Sequence, residues 1–144
     1  MEKYSINGVS LLKNEKAIFP MMGEFHFSRC PEKEWEDEIR KMKACGMDII
    51  ATYVFWIHHE EEEGVFAFSG QRNLHRFLEL CEKWQMHVWL RIGPWAHGEA
   101  RNGGFPDWLL KKGYKLRSDD LDYLALVERF WKKIYKEVEG THCI

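Results

Sequence analysis

The sequence predicts an α/β fold in which strands alternate with helices, about three β/α units preceded by a short β-hairpin. Two apolar runs, Asp48 to Val54 and His87 to Ile92, have the length and β-branched or aromatic content of buried strands. Between and after them, apolar residues recur at the three- and four-residue spacing of helices. Strands that alternate with helices in this way pair in parallel.

Each element has its own signal. Residues 4 to 19 alternate apolar and polar around Lys13-Asn14-Glu15-Lys16, the pattern of a hairpin, and lead into a first strand near Phe19 to Phe25. Pro31 suits the opening of a helix, because its missing N–H would be unpaired there anyway. Trp35, Ile39 and Met42 give that helix its apolar face, with Glu36–Arg40 and Asp37–Lys41 as i,i+4 pairs on the wet side, and Gly46 ends it. Asn73 is positioned to cap a second helix carrying Leu74, Phe77, Leu78, Cys81 and Trp84. Ser118-Asp119-Asp120 opens a third helix, whose stripe reads Leu124, Val127, Trp131, Ile134 and Val138. No repeat, linker or low-complexity segment interrupts the chain.

Composition narrows the class. The 144 residues, 45% hydrophobic and 31% charged, suit one small globular domain. A net charge of −2 gives no electrostatic basis for nucleic-acid binding. No apolar run is long enough for a membrane span. The N-terminal residues lack the basic and apolar regions of a secretory signal, so the sequence as written reads as cytoplasmic, or as secreted or periplasmic if a leader was lost. Cys30, Cys45, Cys81 and Cys143 form no C-x-x-C pair and read as free thiols.

The segment from Arg91 to Leu109 concentrates chemistry. It packs Trp95, His97, Glu99 and a Gly103-Gly104 turn into one long loop after a strand, the usual place for a site. Sugar rings present apolar C–H faces edged by hydroxyls, so they are held by aromatic faces beside carboxylate and imidazole groups. This loop contains both kinds.

Gly93 to Glu99 and Gly103 to Leu109 resemble the G-P-x-x-x-x-E and G-G-x-P-x-W-L signatures of glycoside hydrolase family 35, the β-galactosidases. Gly23 to Pro31 resembles that family's G-E-x-H-Y-x-R-x-P, Thr52 to Trp56 its T-Y-V-P-W, and Phe68-Ser69-Gly70 its F-S-G. The matches fall in order along nearly the whole chain after residue 20. The resemblance implies the N-terminal portion of a (β/α)8 TIM barrel, whose full form needs about 250 residues. It also implies a retaining mechanism with two glutamates about 5 Å apart, no cofactor, and a β-galactoside-containing carbohydrate as partner. In the family both glutamates follow the third helix, so the resemblance implies a domain over residues 1–144 truncated before its fourth strand. No catalytic residue is then assignable within it, and the C-terminal part of the barrel is its missing partner. A non-catalytic carbohydrate-binding or scaffold fragment is the alternative.

Carried over residue by residue, the resemblance implies substrate-binding roles for Tyr53, His97, Gly98 and Glu99. Glu99 would accept hydroxyl hydrogen bonds, and His97-Gly98 replaces the family's common Cys-Ala. Glu24 and His26, two apart and therefore on one side of a strand, support the site, as does Trp56. Trp56-Ile57-His58-His59-Glu60 is similar to W-N-x-H-E with Ile57 in place of asparagine. Read as an extended segment, it sets His58 and Glu60 on one side, but no spaced third ligand accompanies them and no metal is expected. Glu60 to Glu63 reads as a solvated turn, and Trp108 as an anchor of the loop to the core.

Overall fold

A computed structural model describes residues 3–141; Cys143 lies outside them. The chain begins with an antiparallel meander of three strands in the order β1 (Tyr4–Ile6), β2 (Leu11–Lys13) and β3 (Lys16–Ile18). The expected hairpin turns at Asn14 and Glu15, whose φ values of 50° and 66° give the two left-handed residues of a tight hairpin turn. A strand beyond the expected pair is added by a second turn, where the Asn7 side chain accepts hydrogen bonds from the N–H groups of Val9 and Ser10.

The second sheet is parallel, with β4 (Met22–Glu24), β5 (Ile49–Tyr53) and β6 (His87–Arg91) side by side in that order. Each strand is followed along the chain by a long helix: α1 (Trp35–Ala44) after β4, α3 (Leu74–Lys83) after β5 and α5 (Leu121–Val138) after β6. Two single turns, α2 (Trp56–His59) and α4 (Asp107–Leu110), sit in the connections that follow β5 and β6.

Gly23, Ile50 and Val88 share one row of the parallel sheet and face the helices. Gly23 is needed there because a Cβ would come within 2.7 Å of the Met42 methyl of α1. The next row, Glu24, Ala51 and Trp89, faces the other way. Helices cover only the first face among the described residues. This corrects the reading of His87 to Ile92 as a buried strand: Val88 is 3% exposed, but Trp89 is 53% exposed.

The core lies between sheet and helices, around Phe27, Trp35, Ile39, Ile50, Phe77 and Cys81. Asn73 caps α3 as expected, its side chain accepting from Arg76 N–H at 2.9 Å. Gly46, at φ +84°, ends the first helical segment. Pro31 begins a 3-10 turn over Glu32–Glu34, and the α-helix starts only at Trp35. Of the two pairs expected on α1, Asp37–Lys41 forms at 2.8 Å, whereas Glu36 turns instead to Lys83 and the Trp84 indole of α3.

The stripe of α5 is also corrected. The buried residues are Tyr123, Val127, Phe130 and Ile134, while Leu124 and Trp131 are partly exposed. Both stripes have helical spacing, so periodicity alone does not fix the rotation of the helix. Phe130 fixes it by stacking on Trp56, with ring centroids 4.9 Å apart and planes 4° from parallel.

Candidate active site

The carboxyl ends of the three parallel strands bring together Glu24, Tyr53 and Arg91, the final residues of β4, β5 and β6. Tyr53 and Arg91 are register partners. The Arg91 guanidinium lies 3.7 Å from the Tyr53 ring centroid and forms an ion pair with Glu24. His26 joins this group from the other side, with Nε2 at 3.8 Å from the Glu24 carboxylate and its ring 5.5 Å from that of Tyr53. Burial, reinforced by the Arg29 charge, holds the His26 pKa below the usual histidine value, so His26 is neutral at pH 7. Glu24 and His26 thus meet, although β4 ends at Glu24 and His26 lies beyond the strand on which the two were expected to share a side. Arg91 was missed, although its place at the end of a strand and two residues from Trp89 puts it in the same inward row.

The long loop returns to this edge. Tyr53, at 7% exposure, offers its hydroxyl to the backbone of His97, accepting from N–H at 3.1 Å and donating to C=O at 3.4 Å. Within the loop, Ala96 N–H donates to Gly103 C=O at 2.7 Å. Gly103 has φ +62°, and the Trp95 indole occupies the space a Cβ would need. His97, Gly98 and Glu99 form the exposed tip.

Glu99 faces a different neighbourhood from Tyr53. It lines a cleft of about 510 Å³ with Arg29, Ile57, His58, Glu61, Ala100, Arg101 and Asp107. Arg29 reaches across to donate to the Glu99 backbone carbonyl at 2.6 Å, with its guanidinium 4.6 Å from the Phe55 ring centroid. His58 meets the Ser28 hydroxyl at 2.8 Å through Nδ1. Burial and the charges of Arg29 and Arg72 lower the His58 pKa, favouring its neutral form. A second cleft, about 380 Å³, lies on the inward face of the sheet beside Glu24, Ala51, Trp89 and Arg91. The sequence pointed to Glu99 and Tyr53 but not to Arg29, and it weighed His58 only as a metal ligand; Ser28 and His58, 30 positions apart, meet through the folding of separate loops.

Trp56 lies in the core, on the helical turn that follows β5. It is fully buried and donates its indole N–H to Glu60 at 2.6 Å. Glu60 is not part of a solvated turn: it is fully buried, accepts the Gly64 N–H at 2.7 Å and pairs with Arg129 of α5. Its backbone carbonyl accepts from the Trp108 indole at 2.9 Å, which anchors the loop as expected. Because residues 56–59 form a helical turn and not an extended segment, His58 faces the cleft while Glu60 points into the core. Among the described residues no group of three His, Cys, Asp or Glu could hold a metal ion. Cys30 and Cys45 are free thiols, and no helix of the described residues is long and apolar enough to cross a membrane.

Residues 10–143 match the model of glycosyl hydrolases family 35. The chain belongs to this family. It is 42% identical over 138 residues to Beta-galactosidase 17 of Arabidopsis thaliana, covering 94% of this chain and 20% of that protein. Identity to the Exo-beta-D-glucosaminidase of Pyrococcus horikoshii is 47% over 101 residues, 67% of this chain and 13% of that protein. Among solved structures, the beta-galactosidase from the psychrophilic Marinomonas ef1 superposes with a TM-score of 0.69 at 14% identity, over 87% of this chain and 20% of that one. This last likeness shows the fold, part of a TIM barrel. The family 35 chain thus spans a fifth or less of the length of these curated relatives. Its candidate site lies at the carboxyl ends of the parallel strands, the end where barrels of this kind carry their chemistry.

Proposed function

We propose that this chain is the N-terminal part of the catalytic barrel of a β-galactosidase-like retaining glycoside hydrolase, acting on terminal β-galactosyl residues of oligo- or polysaccharides. On this reading residues 1–144 supply the first three β/α units of an eight-unit barrel. They bind and orient the sugar, with Tyr53, His97, Gly98 and Glu99 at the substrate and Glu24, His26 and Trp56 in support. The two catalytic glutamates come from sequence outside this chain. One attacks the anomeric carbon while the other protonates the leaving oxygen, and water then releases the sugar with retained configuration.

The carrying observation is the pair of hydrogen bonds between the Tyr53 hydroxyl and the His97 backbone. They bring the loop bearing Glu99 to the carboxyl end of the sheet, where an equatorial or axial hydroxyl can meet a carboxylate with no ion-pair partner among the described residues. Such charge-assisted bonds are the stronger kind.

A second reading, release of β-linked glucosamine, is favoured by the 47% identity to the Pyrococcus horikoshii relative. Both are tested by expressing the full reading frame that contains this sequence and assaying chromogenic β-galactosides and β-glucosaminides in parallel. Turnover of the galactoside with retained anomeric configuration is expected; turnover of the glucosaminide alone selects the second reading, and turnover of neither rejects both.

A further inference from the structure

Asn102-Gly103 sets an amide side chain before a backbone nitrogen that no Cβ shields. In such a pair the glycine nitrogen can attack the side-chain carbonyl carbon of the asparagine. The new N–Cγ bond closes a five-membered succinimide, the amide proton passes to solvent, and Nδ2 takes one up and leaves as ammonia. Water then opens the ring to aspartate, or to isoaspartate, in which the main chain runs through Cγ. Asn102 is exposed, so water reaches it.

The closed loop holds this reaction off. Gly103 N–H donates to the Ala100 carbonyl at 3.0 Å, which keeps the proton on the attacking nitrogen. Asn102 Nδ2 donates to Asp107 at 2.8 Å, which fixes the amide group. At Asn102 φ is 56° and ψ 24°, a left-handed setting that asparagine tolerates. With that ψ, Cβ and the Gly103 nitrogen lie on nearly opposite sides of the Cα–C bond, whereas ring closure needs them on the same side. The bond cannot turn while the loop is shut, because Gly103 lies against the Trp95 indole and its carbonyl holds the Ala96 N–H at 2.7 Å.

We propose that Asn102 is a self-modification site gated by opening of the loop: the succinimide forms only when the turn over residues 100–105 comes away, and its products keep the loop from closing again. Either product replaces the Nδ2 donor with a carboxylate beside Asp107, so that two like charges compete for Arg101, which Asp107 holds at 2.8 Å. Isoaspartate also lengthens the main chain by one atom in a turn that Trp95 leaves no room to grow. Its former backbone carbonyl, which accepts the Phe105 N–H at 3.2 Å, becomes part of a side group. Ala96 and Gly103 then part, next to the His97 backbone that Tyr53 ties to the sheet.

The test ages the full-length protein containing this chain at mildly alkaline pH, folded and in urea, and follows Asn102 by peptide mapping with isoaspartyl methyltransferase labelling. Asn7-Gly8, in the turn between β1 and β2, is the internal reference. Asn102 is expected to change at least about tenfold more slowly in the folded protein than in urea, as for a group exposed only by local opening. Tyr53→Phe and Asp107→Ala, which loosen the loop from two sides, should each raise the folded-state rate at Asn102 several-fold and leave that at Asn7 unchanged. Amide protection at Ala96 and His97 should fall in the purified isoaspartate form and persist in aged Asn102→Gly, which keeps the left-handed backbone without the amide. Equal rates at Asn102 in folded and denatured protein, acceleration at Asn7 in step with Asn102 in both variants, or unaltered protection of Ala96 and His97 in the isoaspartate form would overturn the proposal.

Discussion

The Tyr53 hydroxyl is bonded twice to one residue 44 positions later, accepting from the His97 N–H at 3.1 Å and donating to its C=O at 3.4 Å. One side chain at the end of β5 thus ties down the tip of the loop that follows β6. The ring of Tyr53 is itself held by Arg91 and His26, so the loop is referenced to the rigid sheet.

Tyr53→Phe keeps that ring and removes only the two loop bonds. A neutral hydrogen bond contributes about 0.5 to 1.5 kcal/mol net. The expected loss of global stability is about 1 kcal/mol, with the larger effect local. Amide hydrogen exchange should show reduced protection at His97 and its neighbours and little change in β5. Uniform loss of protection across the sheet would show that Tyr53 acts through the core and not through the loop.

His59 makes stability depend on pH. It is fully buried, with its ring 4.6 Å from that of Phe68, and Nδ1 bonds the Ala67 carbonyl at 2.9 Å. Burial pushes its pKa down from 6.5 to about 4. In the unfolded chain the ring takes up a proton near pH 6.5, so between there and pH 4 the unfolded state binds more protons than the folded one. The stabilisation is complete above pH 6.5 and is lost as pH falls toward 4, on the order of 3 kcal/mol in all. The lowered values of His26 and His58 act in the same direction. Urea midpoints measured from pH 7.5 to 4 should fall steeply, and His59→Phe should flatten the fall; an equal slope in the variant would place the proton uptake elsewhere.

The fold was legible where a local signal decides it. Asn73 caps α3, Gly46 terminates α1, and the two apolar runs became β5 and β6, because capping, left-handed φ and strand propensity are properties of short segments, whereas the exposure of Trp89 depends on what covers the sheet. What failed depended on a distant partner. In the α5 stripe Val127 and Ile134 are buried as expected, but Leu124 and Trp131 stand one position past the buried Tyr123 and Phe130, because the stacking of Phe130 on Trp56 lies outside any periodicity. Glu60 reads as solvated in a run of four glutamates, and only Arg129, Trp56 and Gly64 make its burial affordable. In the candidate site, motif spacing found Glu99 and Tyr53, while Arg29, His58 and Arg91 come from separate segments that the fold alone assembles.

The Glu60–Arg129 pair gives a second stability test. Glu60→Gln keeps one acceptor oxygen, for either Trp56 or Gly64, turns its NH2 toward the other donor, and leaves the Arg129 guanidinium without its counter-charge. Removing one member of a buried pair costs about 3 to 5 kcal/mol, whereas replacing both by apolar groups is often near neutral. Because Arg129 is about a third exposed, the lower end is expected. Chemical denaturation of Glu60→Gln and of the double variant Glu60→Leu with Arg129→Met should show the double variant recovering part of the loss. A double variant less stable than the single one would mean that the hydrogen bonds to Trp56 and Gly64, and not the charge, hold this corner.

On the proposed reading, Glu99 belongs to the sugar site of a longer glycoside hydrolase that contains this chain. If its carboxylate accepts hydroxyl hydrogen bonds from the sugar, Glu99→Gln removes the charge at constant shape and Glu99→Ala removes the acceptor. A hydrogen bond to a charged group contributes about 1.5 to 3 kcal/mol, so kcat/KM for a β-galactoside should fall roughly tenfold to a hundredfold. The side chain is exposed, and the bond from Arg29 goes to the Glu99 backbone carbonyl and not to its carboxylate, so the melting temperature should stay within a degree or two of the parent's. Activity and melting temperature falling together would make Glu99 a structural loop residue, and unchanged activity would remove it from the sugar site.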